Sequence, residues 1–162
     1  EKNLLAFDFA LQNLEFDYLV RTNTTSYINL KKLNEFIEDN FQNNDLVYAG
    51  KIMKTTDADN NSINFVSGAC IIFSKETIKK ITSNKEQLQL ELWDDVGLGK
   101  LMHALEIYPL EGMTNQIQGN IFTQDLELDH YHYRCRIDNH FGYPRFLEIY
   151  VIKFLDRYVN GK

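Results

Sequence analysis

Apolar residues fall three or four positions apart across residues 1–15, which predicts an amphipathic helix. Aromatic and branched residues then dominate positions 16–22. A nearly continuous apolar run of this length is typical of a strand that is covered on both faces. The polar residues 23–26 are therefore predicted to form a loop at the carboxyl end of that strand, where open α/β sheets bind ligands.

In the middle of the chain, a helical pattern is again followed by a strand pattern. Asn29 is suited to cap a helix over residues 30–41, and residues 46–53 read as a second strand. Residues 63–74 divide into two short apolar runs around the small residues at 67–69. Small side chains at such a point allow another backbone or a ligand to approach closely.

Helical spacing returns after Ser74, which predicts a capped helix start at that residue, and again after Asp94. The remaining predicted elements are a polar loop over residues 55–62, a short strand over 105–110, a loop over 112–125, an edge strand over 130–136 and a helix over 143–159. Alternating helices and strands predict an α/β fold, in which helices flank a sheet.

Composition limits the classes of protein to which the chain can belong. Its 162 residues fit one domain, and its net charge of −6 argues against a general binder of nucleic acids or membrane surfaces. No apolar run approaches the roughly 20 residues of a membrane span. Cys70 and Cys135 are expected to be buried free thiols. These features favour a cytoplasmic protein, with a Golgi-type anchor outside this sequence as the alternative.

Two adjacent carboxylates, Asp94 and Asp95, stand at the start of a predicted helix. Negative charge in the first turn of a helix is stabilised by the helix dipole, so both residues are suited to capping. A carboxylate held in this way can also serve as a general base when one of the pair faces a cleft. Both interpretations stay open from the residues alone.

A second candidate cluster alternates histidine and arginine with other residues along the predicted edge strand. Because side chains of a strand alternate between its faces, the members of this cluster are expected on one face. They are His130, His132, Arg134 and Arg136. The imidazoles could ligate a metal, the guanidinium groups could bind a diphosphate, or the whole strand could simply be solvated.

Three segments in order along the chain resemble the GT-A-fold glycosyltransferases of the β-1,3-galactosyltransferase and Fringe group. The first runs from Arg21 to Asn29, where the family has an acidic metal-binding motif after a strand. The second is Ser67-Gly68-Ala69 before an apolar strand and a helix. The third is the Asp94-Asp95-Val96 sequence, followed by Gly97 and Gly99.

The resemblance implies an inverting transferase that moves a hexose or N-acetylhexosamine from a nucleotide-diphosphate sugar to a glycan hydroxyl. The family's nucleotide-binding half is not recognisable in this chain, so we expect a partial GT-A domain, the acceptor-side C-terminal part of a larger one. A non-catalytic module that binds glycan or protein is the alternative.

The resemblance also assigns roles to residues. Asp95 occupies the position of the base, with Asp94 beside it. The acceptor side is assigned to Ser67, Gly68, Ala69 and Trp93, and the donor diphosphate to Arg21, Asn23, Thr24, Thr25, Arg134 and Arg136. A divalent cation, Mn²⁺ or Mg²⁺, would require ligands other than Asn23, Thr24 and Thr25, such as His130 and His132. Asp57 and Asp59 match the acidic motif only in residue type and spacing.

Four aromatic residues near the ends of these segments admit two interpretations. They are Tyr27, Tyr48, Phe65 and Trp93. Aromatic faces stack on the apolar sides of sugar rings, but aromatic side chains at strand ends more often belong to the core.

Overall fold

A computed structural model of the protein describes residues 2–56, 60–89, 92, 94–117, 127–136 and 145–161. Its elements in chain order are α1 Lys2–Asn13, β1 Tyr18–Thr22, β2 Ser26–Ile28, α2 Leu30–Phe41, β3 Tyr48–Thr56, β4 Ser62–Ser74, α3 Lys75–Ser83, α4 Asp94–Ala104, β5 Leu110–Glu111, β6 Thr114–Ile117, β7 His132–Cys135 and α5 Glu148–Val159. Short 3₁₀ helices cover Lys85–Gln87 and Arg145–Leu147.

Contacts between residues divide the chain into two compact units. The first comprises Glu1–Arg21 and Asn43–Gly112, and the second comprises Thr22–Gln42 and Met113–Lys162. Each contains helices and a mixed sheet, which confirms the predicted α/β class. The GT-A arrangement within that class stays a prediction.

The sheet of the first unit has the strand order β1, β4, β3, β5. Strand β3 is antiparallel to β4 and parallel to β5. Strand β4 lies inside this sheet and is buried along most of its length, because helix α4 packs against it. The core of the unit includes Ile71 and Phe73 from β4, Ile78 from α3 and Met102 from α4.

Strand β4 bulges at its small residues. Gly50 of β3 pairs with Ile71, whereas Ile52 pairs with Val66, so residues 67–70 of β4 lie opposite a single residue of β3. A β-bulge bends its strand and redirects the backbone, and bulges are common beside active sites. The two apolar runs therefore belong to one long strand, Ser62–Ser74, which the bulge interrupts at the small residues.

The bulge requires glycine on the facing strand. Gly50 has φ of +150°, and an added Cβ would lie 2.4 Å from the Cys70 carbonyl oxygen and 2.5 Å from Val66 Cγ1. L-residues with a side chain rarely adopt such a backbone conformation, and here the space is also filled.

The second unit contains a sheet with the order β2, β7, β6, in which β7 is antiparallel to β2 and parallel to β6. Helix α5 packs on β2 and β7. The core gathers side chains from β6, β7 and α5, namely Ile117, Tyr133, Cys135, Val151 and Leu155. The amphipathic pattern of residues 148–159 explains this packing, since its apolar positions face the sheet.

Several boundaries differ from the predictions. The predicted loop over residues 112–125 contains a strand, β6, and the predicted edge strand over residues 130–136 is β7, which lies between two neighbours. The predicted strand over residues 105–110 is reduced to Leu110–Glu111. The C-terminal helix is an α-helix only from Glu148, after a 3₁₀ turn, and residues 143–144 lie outside the described part of the chain.

Two predicted helix caps are confirmed. The Asn29 side chain accepts a hydrogen bond from the Lys32 N–H at 3.2 Å, and Ser74 Oγ accepts one from the Thr77 N–H at 3.3 Å. Both residues satisfy N–H groups that the first turn of a helix leaves without intrahelical partners.

The two cysteines are free and buried, as predicted. Burial raises the pKa of each thiol to about 12, so neither is a thiolate at neutral pH. Among the described residues, no helix combines the length and the apolar character needed to cross a bilayer.

Candidate functional site

Arg21 lies next to the last residue of strand β1 and reaches the first turn of helix α4. Its Nη2 donates to Asp94 Oδ2 at 2.5 Å, and Asn3 Nδ2 donates to the same oxygen at 3.0 Å. The Asp94 side chain is 58% exposed and that of Arg21 is 22% exposed. Ion pairs at this exposure contribute about 0–1 kcal/mol to stability, so the pair orients the guanidinium more than it stabilises the fold.

The other terminal nitrogen of Arg21 is buried. Nη1 has no hydrogen-bond partner within the described part of the chain. A buried donor without an acceptor is costly, at about 1–3 kcal/mol, and a folded protein retains such a group at functional sites more readily than elsewhere.

Asp95 joins the start of α4 to the bulge of β4. Its Oδ2 accepts the Gly68 N–H at 2.9 Å, and its Oδ1 accepts the Val96 N–H at 3.0 Å. The side chain is half-buried and directed to the sheet. Asp95 therefore fits both a helix cap and a general base. A carboxylate fixed in this way caps the helix and also occupies a defined place beside the bulge.

Gly68 is the point at which the three segments meet. A Cβ at this position would lie 2.8 Å from Arg21 Nη1 and 3.2 Å from Asp95 Oδ2. The absence of a side chain at this position allows the arginine and the carboxylate to approach the strand closely. The structure thus brings together Arg21, Gly68 and Asp95, with Asp94 at the edge of the group.

Tyr48, one of the four aromatic residues near the segment ends, lies close enough to this group for the charges of Asp95 and Arg21 to act on its hydroxyl. It is fully buried, its ring stacks on Phe73 at 5.8 Å, and its hydroxyl oxygen accepts the Val66 N–H at 2.8 Å. Burial raises the pKa of the hydroxyl, as does the charge of Asp95, so it stays protonated. Because the ring is enclosed, Tyr48 cannot stack on a sugar.

The remaining candidate site residues of the first unit differ in how far their side chains are exposed. Ala69 is buried and Ser67 is half-buried, within the bulge. Phe65 is buried and belongs to the core, while Trp93 and the Asp57 to Asp59 segment lie outside the described residues.

A small cavity adjoins Asp94. Its volume is about 70 Å³, and its walls are mostly apolar, with Leu4, Leu88 and Leu98 among the lining residues. Pockets that bind drug-sized ligands have volumes of roughly 300–1,000 Å³. This cavity therefore admits a few water molecules and not a nucleotide sugar.

The Asn23 side chain organises the polar loop of the second unit. Its Oδ1 accepts three hydrogen bonds, from the Thr25 N–H at 3.1 Å, from Thr25 Oγ1 at 3.0 Å and from Ser26 Oγ at 2.8 Å. Thr25 is buried and Thr24 is exposed. The loop over residues 23–26 is thus a compact turn held by an amide oxygen.

His132 is fully buried between two hydroxyl groups. Its Nε2 lies 2.9 Å from Ser26 Oγ and its Nδ1 lies 3.1 Å from Thr114 Oγ1. Burial and the nearby charge of Arg134 lower the pKa of His132 to about 4. The ring is therefore neutral at physiological pH.

The face predicted for His130 and His132 requires both residues to lie in one strand, but strand β7 begins only at His132. His130 precedes strand β7 and contacts Glu127, through its carbonyl oxygen at 3.4 Å and its carboxylate at 3.7 Å. Arg134 is half-buried within β7, and Arg136 follows the strand and is exposed. In the described part of the chain, no three His, Cys, Asp or Glu side chains are grouped so that they could hold a metal ion.

His132 makes the stability of the protein dependent on pH. An unfolded histidine titrates near pH 6.5, so with a folded pKa of about 4 the stabilisation is complete above pH 6.5 and is lost as the pH falls toward 4. We expect the free energy of unfolding to fall by about 2 kcal/mol more between pH 7 and pH 5 in the wild type than in His132→Gln. Urea denaturation of both proteins measures this difference, and parallel pH profiles would contradict it.

No protein-family model matches this chain, and no curated protein matches it significantly. The resemblance to glycosyltransferases therefore depends on the residues and contacts described above.

Proposed function

We propose that this chain is an inverting glycosyltransferase that moves a hexose or N-acetylhexosamine from a nucleotide-diphosphate sugar to a glycan hydroxyl. One observation carries the proposal. Arg21, Gly68 and Asp95, which come from three distant segments, meet through a hydrogen bond and close packing in the first unit. The same three segments carry the resemblance to the family.

Asp95 supplies the base in this proposal. An inverting transfer requires a group that takes the proton from the acceptor hydroxyl while its oxygen attacks the anomeric carbon. Each carboxylate oxygen has two lone-pair sites, and the N–H groups of Gly68 and Val96 use one site on each. The remaining sites can accept a hydroxyl proton, and the two backbone donors hold the carboxylate in one orientation.

Arg21 supplies positive charge for the departing diphosphate. Its guanidinium is held by Asp94 through Nη2 and carries further N–H donors. Donors fixed in advance at the place where negative charge develops stabilise a transition state without reorganising. Asp94 is accordingly a positioning residue for Arg21, and its role as a second catalytic carboxylate is not needed.

The residues at the family's metal position do not fit a divalent cation. Mg²⁺ and Mn²⁺ prefer carboxylate and carbonyl oxygens. Asn23 Oδ1 already accepts three hydrogen bonds, and both nitrogens of His132 contact hydroxyl groups. These atoms already form the hydrogen bonds that hold the loop together, so they are poorly suited to bind a cation.

A specific observation favours the second candidate, a non-catalytic module that binds glycan or protein. Both oxygens of Asp95 accept backbone N–H groups, as a purely structural helix cap would. Under this alternative the glycine bulge and the carboxylate would be retained for shape alone.

Calorimetric titration separates the two candidates. Uridine and guanosine diphosphate sugars are titrated into the wild type and into Arg21→Gln, each with and without Mn²⁺. We expect at least one donor to bind, and the loss of the guanidinium to weaken its affinity by about tenfold or more, because hydrogen bonds to charged groups contribute about 1.5–3 kcal/mol. Absence of heat from every donor at millimolar concentration would favour the binding module.

A further inference from the structure

Strand β2 and helix α5 of the second unit border a groove with a volume of about 460 Å³. Sites that bind drug-sized ligands have volumes of roughly 300–1,000 Å³, so the groove is large enough for a small molecule. All of its lining residues belong to the second unit, whereas the group around Gly68 belongs to the first. They are Tyr27 from β2 and Ile152, Lys153, Asp156 and Arg157 from α5.

The apolar part of the groove is held in place by the core. Tyr27 and Ile152 are half-buried and pack against the core of the second unit. The Tyr27 ring also lies 6.1 Å from the ring of Tyr133, its partner in the pairing of β2 with β7, at an interplanar angle of 49°. Side chains fixed in this way lose little rotamer freedom when a ligand binds. They offer a prepared surface for the flat face of a ring.

Asp156 lies close to the hydroxyl of Tyr27. Burial, followed by the charge of Asp156, raises the pKa of this hydroxyl, which therefore stays protonated at neutral pH. The Asp156 carboxylate is itself held by its own helix end, because Asn160 Nδ2 donates to Asp156 Oδ1 at 2.9 Å and to the Asp156 carbonyl oxygen at 2.7 Å. Asp156 thus adds one fixed negative charge to the groove.

Two cationic side chains line the same groove. Lys153 and Arg157 are four positions apart on α5, so they project from one side of the helix. Both are exposed, and neither forms an ion pair with any residue that the structure describes. Two cations and the carboxylate of Asp156 give the described lining a net charge of +1. This charge matches a monoanion better than a phosphate dianion, which Asp156 would repel.

We propose that the groove between β2 and α5 binds a small monocarboxylate that carries an aromatic ring. The ring lies against Tyr27 and Ile152, where its apolar surface is removed from water. The carboxylate accepts hydrogen bonds from Arg157, whose planar guanidinium matches the two carboxylate oxygens, and pairs with the ammonium of Lys153. Sugar transfer by the first unit is not required for this binding.

Calorimetric titration of the wild-type chain at pH 7 tests the ligand class. The probes are benzoate, phenylacetate and 3-phenylpropanoate, which differ in the distance between ring and carboxylate. We expect at least one of them to bind at millimolar concentration. Its neutral amide should bind about tenfold more weakly or less, because hydrogen bonds to charged groups contribute about 1.5–3 kcal/mol. Propanoate, which lacks the ring, should also bind at least roughly tenfold more weakly.

Phenyl phosphate distinguishes a carboxylate site from a general anion site. Its second pKa lies near 6, so it is mainly a dianion at pH 7. We expect it to bind more weakly than the best carboxylate. Phenyl phosphate that binds as tightly as that carboxylate, or absence of heat from all three aromatic carboxylates, would overturn the proposal.

Three matched substitutions locate the site. Arg157→Gln should raise the Kd of the best carboxylate roughly tenfold, and Lys153→Gln roughly threefold, because a point charge gives fewer directed hydrogen bonds than a guanidinium. Lys31→Gln removes an exposed lysine of the same unit that does not line the groove, and it should leave the Kd unchanged. Thermal unfolding shows that each variant is folded.

An unchanged Kd in both folded variants, Arg157→Gln and Lys153→Gln, would show that the carboxylate binds elsewhere and would overturn the proposal. None of these results bears on Arg21, Gly68 and Asp95, so this proposal and the proposed sugar transfer can fail independently.

Discussion

Asp95→Asn is expected to lower the rate of sugar transfer about 10²- to 10⁴-fold, the usual contribution of a general base. The amide has nearly the same shape as the carboxylate but cannot take a proton from the acceptor hydroxyl. It can still accept one of the two backbone N–H groups that Asp95 binds, those of Gly68 and Val96. The stability loss should therefore stay near 1 kcal/mol, the typical contribution of one hydrogen bond.

A matched control is available in the same unit. Glu76 is likewise an acidic residue in the first turn of a helix, α3, but it lies on the surface and pairs with Lys79 at 2.6 Å. Glu76→Gln should leave transfer unchanged. The measurement is kcat at saturating donor and acceptor, together with urea unfolding of each variant. A folded Asp95→Asn protein with transfer within a factor of ten of wild type would show that Asp95 is only a helix cap.

Gly99→Ala is expected to destabilise the protein by about 3 kcal/mol, at the upper end of typical overpacking costs. An added Cβ would lie 2.2 Å from Phe65 Cβ and 3.3 Å from Phe65 Cα, so helix α4 would have to move away from strand β4. Asp95 lies on that helix and Gly68 on that strand, so the bond between them would also be disturbed.

The direction of the stability change in Gly99→Ala shows whether helix α4 packs closely on strand β4. In an exposed helix interior, replacing glycine by alanine stabilises by about 1 kcal/mol. Lys100→Ala, at the next position of α4, serves as the control and should change the unfolding free energy by no more than about 0.5 kcal/mol. Urea denaturation measures both variants. Unchanged or increased stability of Gly99→Ala would mean that α4 does not pack closely on β4.

Local signals in the sequence were sufficient for the caps and for the helix starts. Asn29, Ser74 and Asp94 each precede or begin a helix in the structure, because capping and charge act over one turn of chain. The resemblance assigned Arg21, Gly68 and Asp95 to one site, and these three residues lie together in the first unit.

Other features depend on pairing across the chain and could not be predicted. The bulge of β4 arises from its register with Gly50 on β3, and β6 is a polar strand that is ordered by its neighbour β7. The alternating pattern placed His132 with His130, Arg134 and Arg136 on one face of a predicted edge strand. Burial between Ser26 and Thr114 gives it a different role, which a linear pattern does not encode.

Product analysis by mass spectrometry tests the central claim most directly. The wild-type chain is incubated with a panel of uridine and guanosine diphosphate sugars and glycan acceptors, and the acceptors are weighed. We predict that at least one acceptor gains the mass of a single hexose or N-acetylhexosamine, and that proton NMR of this product shows the anomeric configuration inverted. A folded protein that adds no sugar to any acceptor from any donor would contradict the assignment of Arg21, Gly68 and Asp95 to a sugar-transfer site.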